Sequence, residues 1–140
     1  MTSKVSVIIP CYNAEKYIKE TIDSVLNQTY TNIEIIAVDN ESQDETLKII
    51  KTYSTEAREE GLRICSGDYI TTLCSDDYYH PEYINKCVQI MDQLKNKISL
   101  IQSPIKGVNI NGQEVNRIGY RYDGIQEFKN LAVIQCPVTS

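Results

Sequence analysis

The sequence is poor in what several kinds of functional centre require. It has one histidine, His80, which precedes Pro81 at an expected helix start, where a turn role outweighs a catalytic one. Its five cysteines, Cys11, Cys65, Cys74, Cys87 and Cys136, are odd in number and show no C-x-x-C spacing. Neither a disulfide framework nor a zinc site is therefore indicated, and small reduced side chains in a reducing compartment are expected. Lysine and arginine number 14 against 19 acids, for a net charge of −5. No basic face is available to neutralise a run of phosphates, which argues against nucleic acid as a partner; a small anionic ligand needs only a few local donors. No apolar run approaches the roughly 18 residues of a membrane span. No signal-peptide pattern precedes the first strand, so a cytoplasmic location is expected. Repeats, low-complexity segments and linkers are also missing. The 140 residues, 41% hydrophobic and 24% charged, fit one soluble globular domain with a real core.

What is present is an alternation of strands and helices. Val5 to Pro10 is a short apolar run rich in β-branched residues, as in a strand buried on both faces. Asn13 can cap a following helix with Glu15 in its first turn, and Ile18, Ile22, Val25 and Leu26 repeat at helical spacing. Ile33 to Val38 is a second apolar run, expected to be a second buried strand. Ser42 and Glu45 have the spacing of a capping box, ahead of Leu47, Ile50 and Tyr53. A helical pattern covers 57–65 and stops at Gly67. Tyr69 to Cys74 is a third strand, and Pro81 suits the first turn of a helix carrying Ile84, Cys87, Val88, Met91 and Leu94. A strand over 98–102, a hairpin around Asn111-Gly112, a short helix over 124–131 and a strand over 133–135 complete the reading. The expected fold is α/β: a mainly parallel sheet with right-handed crossovers, helices on both faces and a C-terminal β-hairpin.

In open sheets of this kind ligands bind beyond the carboxyl ends of the strands. Three strands end there in polar residues: Pro10-Cys11-Tyr12-Asn13, Asp39-Asn40 and Asp76-Asp77. Tyr12 either offers an aromatic face for a base or packs as an ordinary tyrosine. Asp39 either accepts a hydrogen bond from a base or ribose or initiates the turn. Asp76 and Asp77 are adjacent carboxylates that repel unless a cation or proton separates them; magnesium or manganese bridging a diphosphate resolves this, and a solvated turn is the alternative. Arg58 is the one base that could reach a diphosphate from the helix leading into the third strand.

The run VSVIIPCYNAEKYIKETIDSVLNQTYTNIEIIAVDNES resembles the N-terminal signature of family 2 glycosyltransferases: a strand ending in P-x-Y-N, a helix closing in S-x-x-x-Q-T/S-Y/F, and a strand ending in D-D-G-S. AREEGLRICSGDYITTLCSDDYYHPEYI resembles the family's next block, which ends in an aspartate-rich DXD motif. The resemblance implies a GT-A (Rossmann-like) fold spanning 1–140 as one nucleotide-diphospho-sugar-binding domain that lacks much of the acceptor-side region. It implies donor binding through Pro10, Tyr12, Asn13, Asp39, Arg58 and Asp76, with a metal, Mn2+ or Mg2+, at Asp76 and Asp77. It implies sugar transfer from a nucleotide-diphospho sugar, with a UDP-sugar favoured, to a glycan or lipid-linked acceptor hydroxyl in cell-surface glycan or polysaccharide synthesis, peripheral to the inner face of the membrane. The family's general base has no counterpart in the chain.

The sequence departs from the family pattern at Cys74, in place of the first DXD acid, at Asn40, Glu41 and Glu59, and between Tyr53 and Ala57, where the family carries a further strand and a glycine loop. That loss leaves the second strand with an unpaired edge, which invites a homodimer. A non-catalytic nucleotide-binding or scaffolding domain is the alternative function, and a phosphoryl-transfer domain with acidic strand ends a more distant one.

Overall fold

The computed structural model describes residues 2–53, 65–94, 100–101, 107–109 and 113–115. The element order is β1 (Val5–Cys11), α1 (Ile18–Leu26), β2 (Ile33–Asp39), α2 (Thr46–Tyr53), β3 (Tyr69–Thr72), α3 (Tyr83–Gln93), β4 (Gly107–Val108) and β5 (Glu114–Val115). The chain divides into two compact units, Met1–Val88 and Gln89–Ser140.

In the first unit three parallel strands form a sheet in the order β2-β1-β3, which bears out the parallel α/β reading. β1 is central, and so its β-branched run is buried on both faces. Val5, Val7, Ile9 and Cys11 alternate onto one face and join a single core with Ile18, Ile22 and Val25 of α1, Ile50 of α2, and Ile84 and Val88 of α3. Because strand side chains alternate between faces, these helix residues all pack on that same face. Each such aliphatic side chain contributes about 1.5–3 kcal/mol by leaving water. Ser6 and Ile8 are buried on the opposite face.

Several local expectations are corrected. Asn13 does not cap α1: the helix starts at Ile18 after a turn, and its N-cap residue Tyr17 makes no side-chain capping bond. Leu26, at the end of the helix, is 60% exposed rather than part of the buried stripe. The Ser42–Glu45 capping box does not form either, because Ser42 Oγ donates to the Asp39 carboxylate and α2 begins only at Thr46. β2 is half-buried along most of its length instead of fully buried, since among the described residues it pairs on one side only.

In the second unit β4 and β5 pair antiparallel, Gly107 with Val115 and Val108 with Glu114, and Asn109 N donates to Gln113 O at 3.0 Å. This is the expected hairpin; its Asn111-Gly112 tip lies outside the described residues. The expected elements at 57–65, 98–102, 124–131 and 133–135 fall wholly or largely outside them. Among the described residues no helix is long and apolar enough to cross a membrane.

Candidate functional site

The parallel register brings the carboxyl ends of the three strands to one edge of the sheet. Cys11 at the end of β1 lies beside Asp39 at the end of β2, and Asn40 N donates to Cys11 O at 2.9 Å. Leu73, just past β3, donates to Ile8 O at 2.9 Å, so the Cys74-to-Asp77 turn leaves from the same edge. Tyr12 stands 61% exposed there, and Pro10 and Asn13 are exposed as well. Of the residues singled out from sequence, Pro10, Tyr12, Asn13, Asp39, Asp76 and Asp77 gather at this edge; Arg58 lies outside the described residues.

The loops after β1 and β2 are cross-linked by hydrogen bonds. Asn13 takes a positive φ of 48°, which turns its backbone N–H onto Ser42 Oγ at 3.0 Å while its Oδ1 accepts from Gln43 N at 2.8 Å. Asparagine tolerates this left-handed conformation better than most residues. Ala14 N donates to Thr46 Oγ1 at 2.7 Å. Glu15 N donates to Asp44 Oδ2 at 3.1 Å, and Glu15 Oε2 accepts from Glu45 N at 3.0 Å. The Asp39 carboxylate accepts from Ser42 N at 3.2 Å and from Ser42 Oγ at 2.5 Å. Asp39 therefore fixes the turn, yet each of its oxygens keeps a lone pair for a ligand.

Cys11 makes no reactive nucleophile. Burial pushes its thiol up to about 12, and the nearby negative charge of Asp39 adds to this. Its Sγ instead donates to Ile9 O at 3.2 Å.

On the third loop the ligand atoms of Cys74, Asp76 and Asp77 lie within 4.8 Å of one another. The loop is held from both sides. Thr21 Oγ1 of α1 donates to Ser75 O at 2.9 Å. Beyond it, Tyr79 stacks on Tyr83 with ring centroids 4.4 Å apart, its hydroxyl bonded to Thr71 and to Thr72 O. Burial raises the Tyr79 phenol well above its ordinary range, so it stays protonated. The Asp76 and Asp77 carboxylates suit a hard cation such as Mg2+ or Mn2+, which takes oxygen ligands and keeps places for phosphate oxygens. A neutral Cys74 thiol does not suit such a cation.

Two structural residues of this region, Asp44 and Thr46, escaped the sequence reading: their bonds to Glu15 and Ala14 span 29 and 32 positions of sequence, and no local spacing signals that.

The profile of the family described as glycosyl transferase family 2 matches residues 6–56 and 54–139. An uncharacterized glycosyltransferase of Rickettsia conorii is 35% identical over 149 residues, covering 96% of this chain and 24% of that protein. Chondroitin synthase of Escherichia coli is 33% identical over 112 residues, covering 69% of this chain and 16% of that protein. The chain thus spans about a quarter or less of the length of these relatives. Among solved structures, S. aureus TarS 1-349 in complex with UDP superposes with a TM-score of 0.59 at 25% identity, over 79% of this chain and 43% of that one. The same TarS fragment is also known in complex with UDP-GlcNAc. The first profile match ends, and the second begins, between α2 and β3. The Rickettsia alignment runs over 149 residues where this chain has 140, so that relative holds residues for which this chain has no counterpart.

Proposed function

Since the chain belongs to glycosyl transferase family 2, we propose that it is the donor-binding part of a glycosyltransferase. In this reading it holds a nucleotide-diphospho sugar whose sugar passes to an acceptor hydroxyl in surface-glycan or polysaccharide synthesis. The observation that carries the proposal is the convergence of exposed Tyr12, Asp39 and the Asp76–Asp77 pair at the carboxyl edge of one parallel sheet. A UDP-sugar is the favoured donor, supported by the UDP-bound structural neighbour.

Each residue has a physical task. The Tyr12 ring stacks on the base, with Pro10 and Asn13 shaping the rim. Asp39, oriented by Ser42, accepts from a base or ribose donor. Arg58 neutralises diphosphate charge. Asp76 and Asp77 hold Mg2+ or Mn2+, which when bound supplies positive charge to the leaving diphosphate. Transfer forms a bond from the acceptor oxygen to the anomeric carbon and breaks the bond from that carbon to the diphosphate; the hydroxyl proton goes to a base that no residue of this chain is assigned to provide. The acceptor is a glycan or a lipid-linked glycan, which fits a cytoplasmic position against the inner face of the membrane.

Cys74 beside the two carboxylates favours a second reading, a nucleotide-binding domain without turnover. One screen separates the possibilities: melting temperature with UDP- and GDP-sugars, each with and without Mn2+. Ligand at about a hundred times its Kd adds about 2.7 kcal/mol to the folded state. Binding accompanied by donor hydrolysis or transfer supports the first reading, and binding alone supports the second. No shift with any donor at millimolar concentration overturns both.

A further inference from the structure

The side of β2 that faces away from β1 carries no partner strand among the described residues. Val5 N donates to Asn32 O and Asn40 N to Cys11 O. Backbone groups alternate along a parallel strand, so Glu34, Ile36 and Val38 turn theirs toward β1, while Ile33, Ile35, Ala37 and Asp39 turn theirs outward. Ile33 N is satisfied by Thr31 O. Among the described residues no strand pairs with the rest of that edge.

α1 and α2 pack on the same face of the sheet. The right-handed crossover rule then sends the strand after α2 outward, beyond β2. The next strand among the described residues, β3, lies instead on the far side of β1, and the family match breaks between α2 and β3. The family match is thus interrupted at the point of the chain from which a strand would be delivered to this edge.

The edge also lacks the devices that keep strands apart. β2, IEIIAVD, contains no lysine, arginine or proline. Its two acids are engaged within the chain: Glu34 with Lys4, Ser6 and Ser66, and Asp39 with Ser42. Charge and proline at an edge are the usual protection against strand addition.

We propose that β2 pairs antiparallel with β2 of a second copy about a twofold axis at Ile36, joining two sheets into one. This register overlaps all seven residues. It sets Ile35 opposite Ala37 of the second copy, so that the outward groups of these two residues exchange hydrogen bonds. Glu34 then faces Val38 and Asp39 faces Ile33, so no like charges stand opposite each other, a placement that would destabilise a sheet. The inference is independent of the proposed donor site.

Sedimentation of the full chain tests it. At about 100 µM, a micromolar Kd gives a species of twice the 16.0 kDa monomer mass. Ala37→Pro removes an outward N–H without removing a hydrogen bond of the β1 ladder, and it yields a monomer that is still folded by circular dichroism. Ile36→Cys places two thiols across a non-hydrogen-bonded pair about 4.5 Å apart at Cα, within disulfide reach; oxidised glutathione cross-links it into a dimer well beyond the wild-type background. A wild type that stays monomeric at about 100 µM, a folded Ala37→Pro that still dimerises, or an Ile36→Cys that cross-links no more than wild type overturns the proposal. Where Ala37→Pro does not fold, the Ile36→Cys cross-link decides.

Discussion

Thr46→Val is the sharpest test of how the site is held together. Thr46 is fully buried. Its Oγ1 accepts from Ala14 N at 2.7 Å and donates to Asp44 Oδ1 at 2.5 Å. Valine keeps the shape and removes the oxygen. Ala14, 5% exposed, is then left with a buried N–H and no acceptor, at a cost of about 1–3 kcal/mol. Asp44 lies nearer the surface and exchanges its lost partner for water. Thr46→Ser keeps both hydrogen bonds and loses one methyl group, worth about 0.8 kcal/mol. The order of stability is therefore wild type, serine, valine, although valine is the more apolar replacement. In urea titrations the valine variant's midpoint falls by about 1 M, given a slope of about 1–3 kcal/mol/M. Its nucleotide affinity falls too, because the loop carrying Tyr12 loses its anchor. A valine variant as stable as the serine one would refute the view that this hydroxyl ties the two loops together.

Other outcomes follow from the same structure. Burial works against ionisation of Glu34, but hydrogen bonds from Lys4, Ser6 and Ser66 outweigh it and hold the carboxyl at about 2, below its ordinary 4.5. A lowered folded-state pKa gives stability that is present above the unfolded value and lost as pH falls through the folded one. Stability measured between pH 5 and pH 2 therefore drops by about 1–2 kcal/mol more in wild type than in Glu34→Gln, after discounting for screening by water. Gly67→Ala places a Cβ 2.6 Å from Ser6 N and 2.6 Å from Ser6 Oγ; against backbone this costs about 1–3 kcal/mol, read as a lower melting temperature. Glu41 has a φ of 57°, so Glu41→Gly raises stability by about 1 kcal/mol through relief of left-handed strain, seen as a higher urea midpoint. Tyr12→Ala weakens nucleotide binding by about 1–3 kcal/mol in calorimetry and leaves the melting temperature of the free protein nearly unchanged, since the ring is exposed.

The strand ends were legible in the sequence because their signals are local. A β-branched run broken by polar residues marks both a strand and its end, and parallel pairing then forces those ends together. The helix starts were misread because the decisive contacts are distant. Asn13 and Ser42 carry the residue types of caps, but 29 positions separate the partners Asn13 N and Ser42 Oγ, and their mutual bond competes with capping. Leu26 fits the apolar periodicity, yet nothing covers it at the helix end. The Cys74–Asp76–Asp77 cluster was half legible: the adjacent acids were plain, while the nearness of the Cys74 sulfur to both depends on a turn closed by Asp77 N and Cys74 O at 3.1 Å.

Gln28 binds parts of the chain that lie far apart. Its Nε2 donates to Ser24 O and to His80 O, and its Oε1 accepts from Ile84 N; Thr29 N donates to Pro81 O beside it. These bonds clasp the end of α1 to the start of α3, 56 residues later. The place where the family match breaks lies inside the clasped segment. With both ends held, the length of chain between them enters the free energy only through closure entropy, which grows with the logarithm of length. Gaining or losing a strand's worth of residues there shifts stability by about a few tenths of a kcal/mol, apart from the contacts of that strand itself. A glutamine at the foot of the first helix thus leaves one margin of the sheet free to change while the rim at the carboxyl ends of the strands keeps its frame.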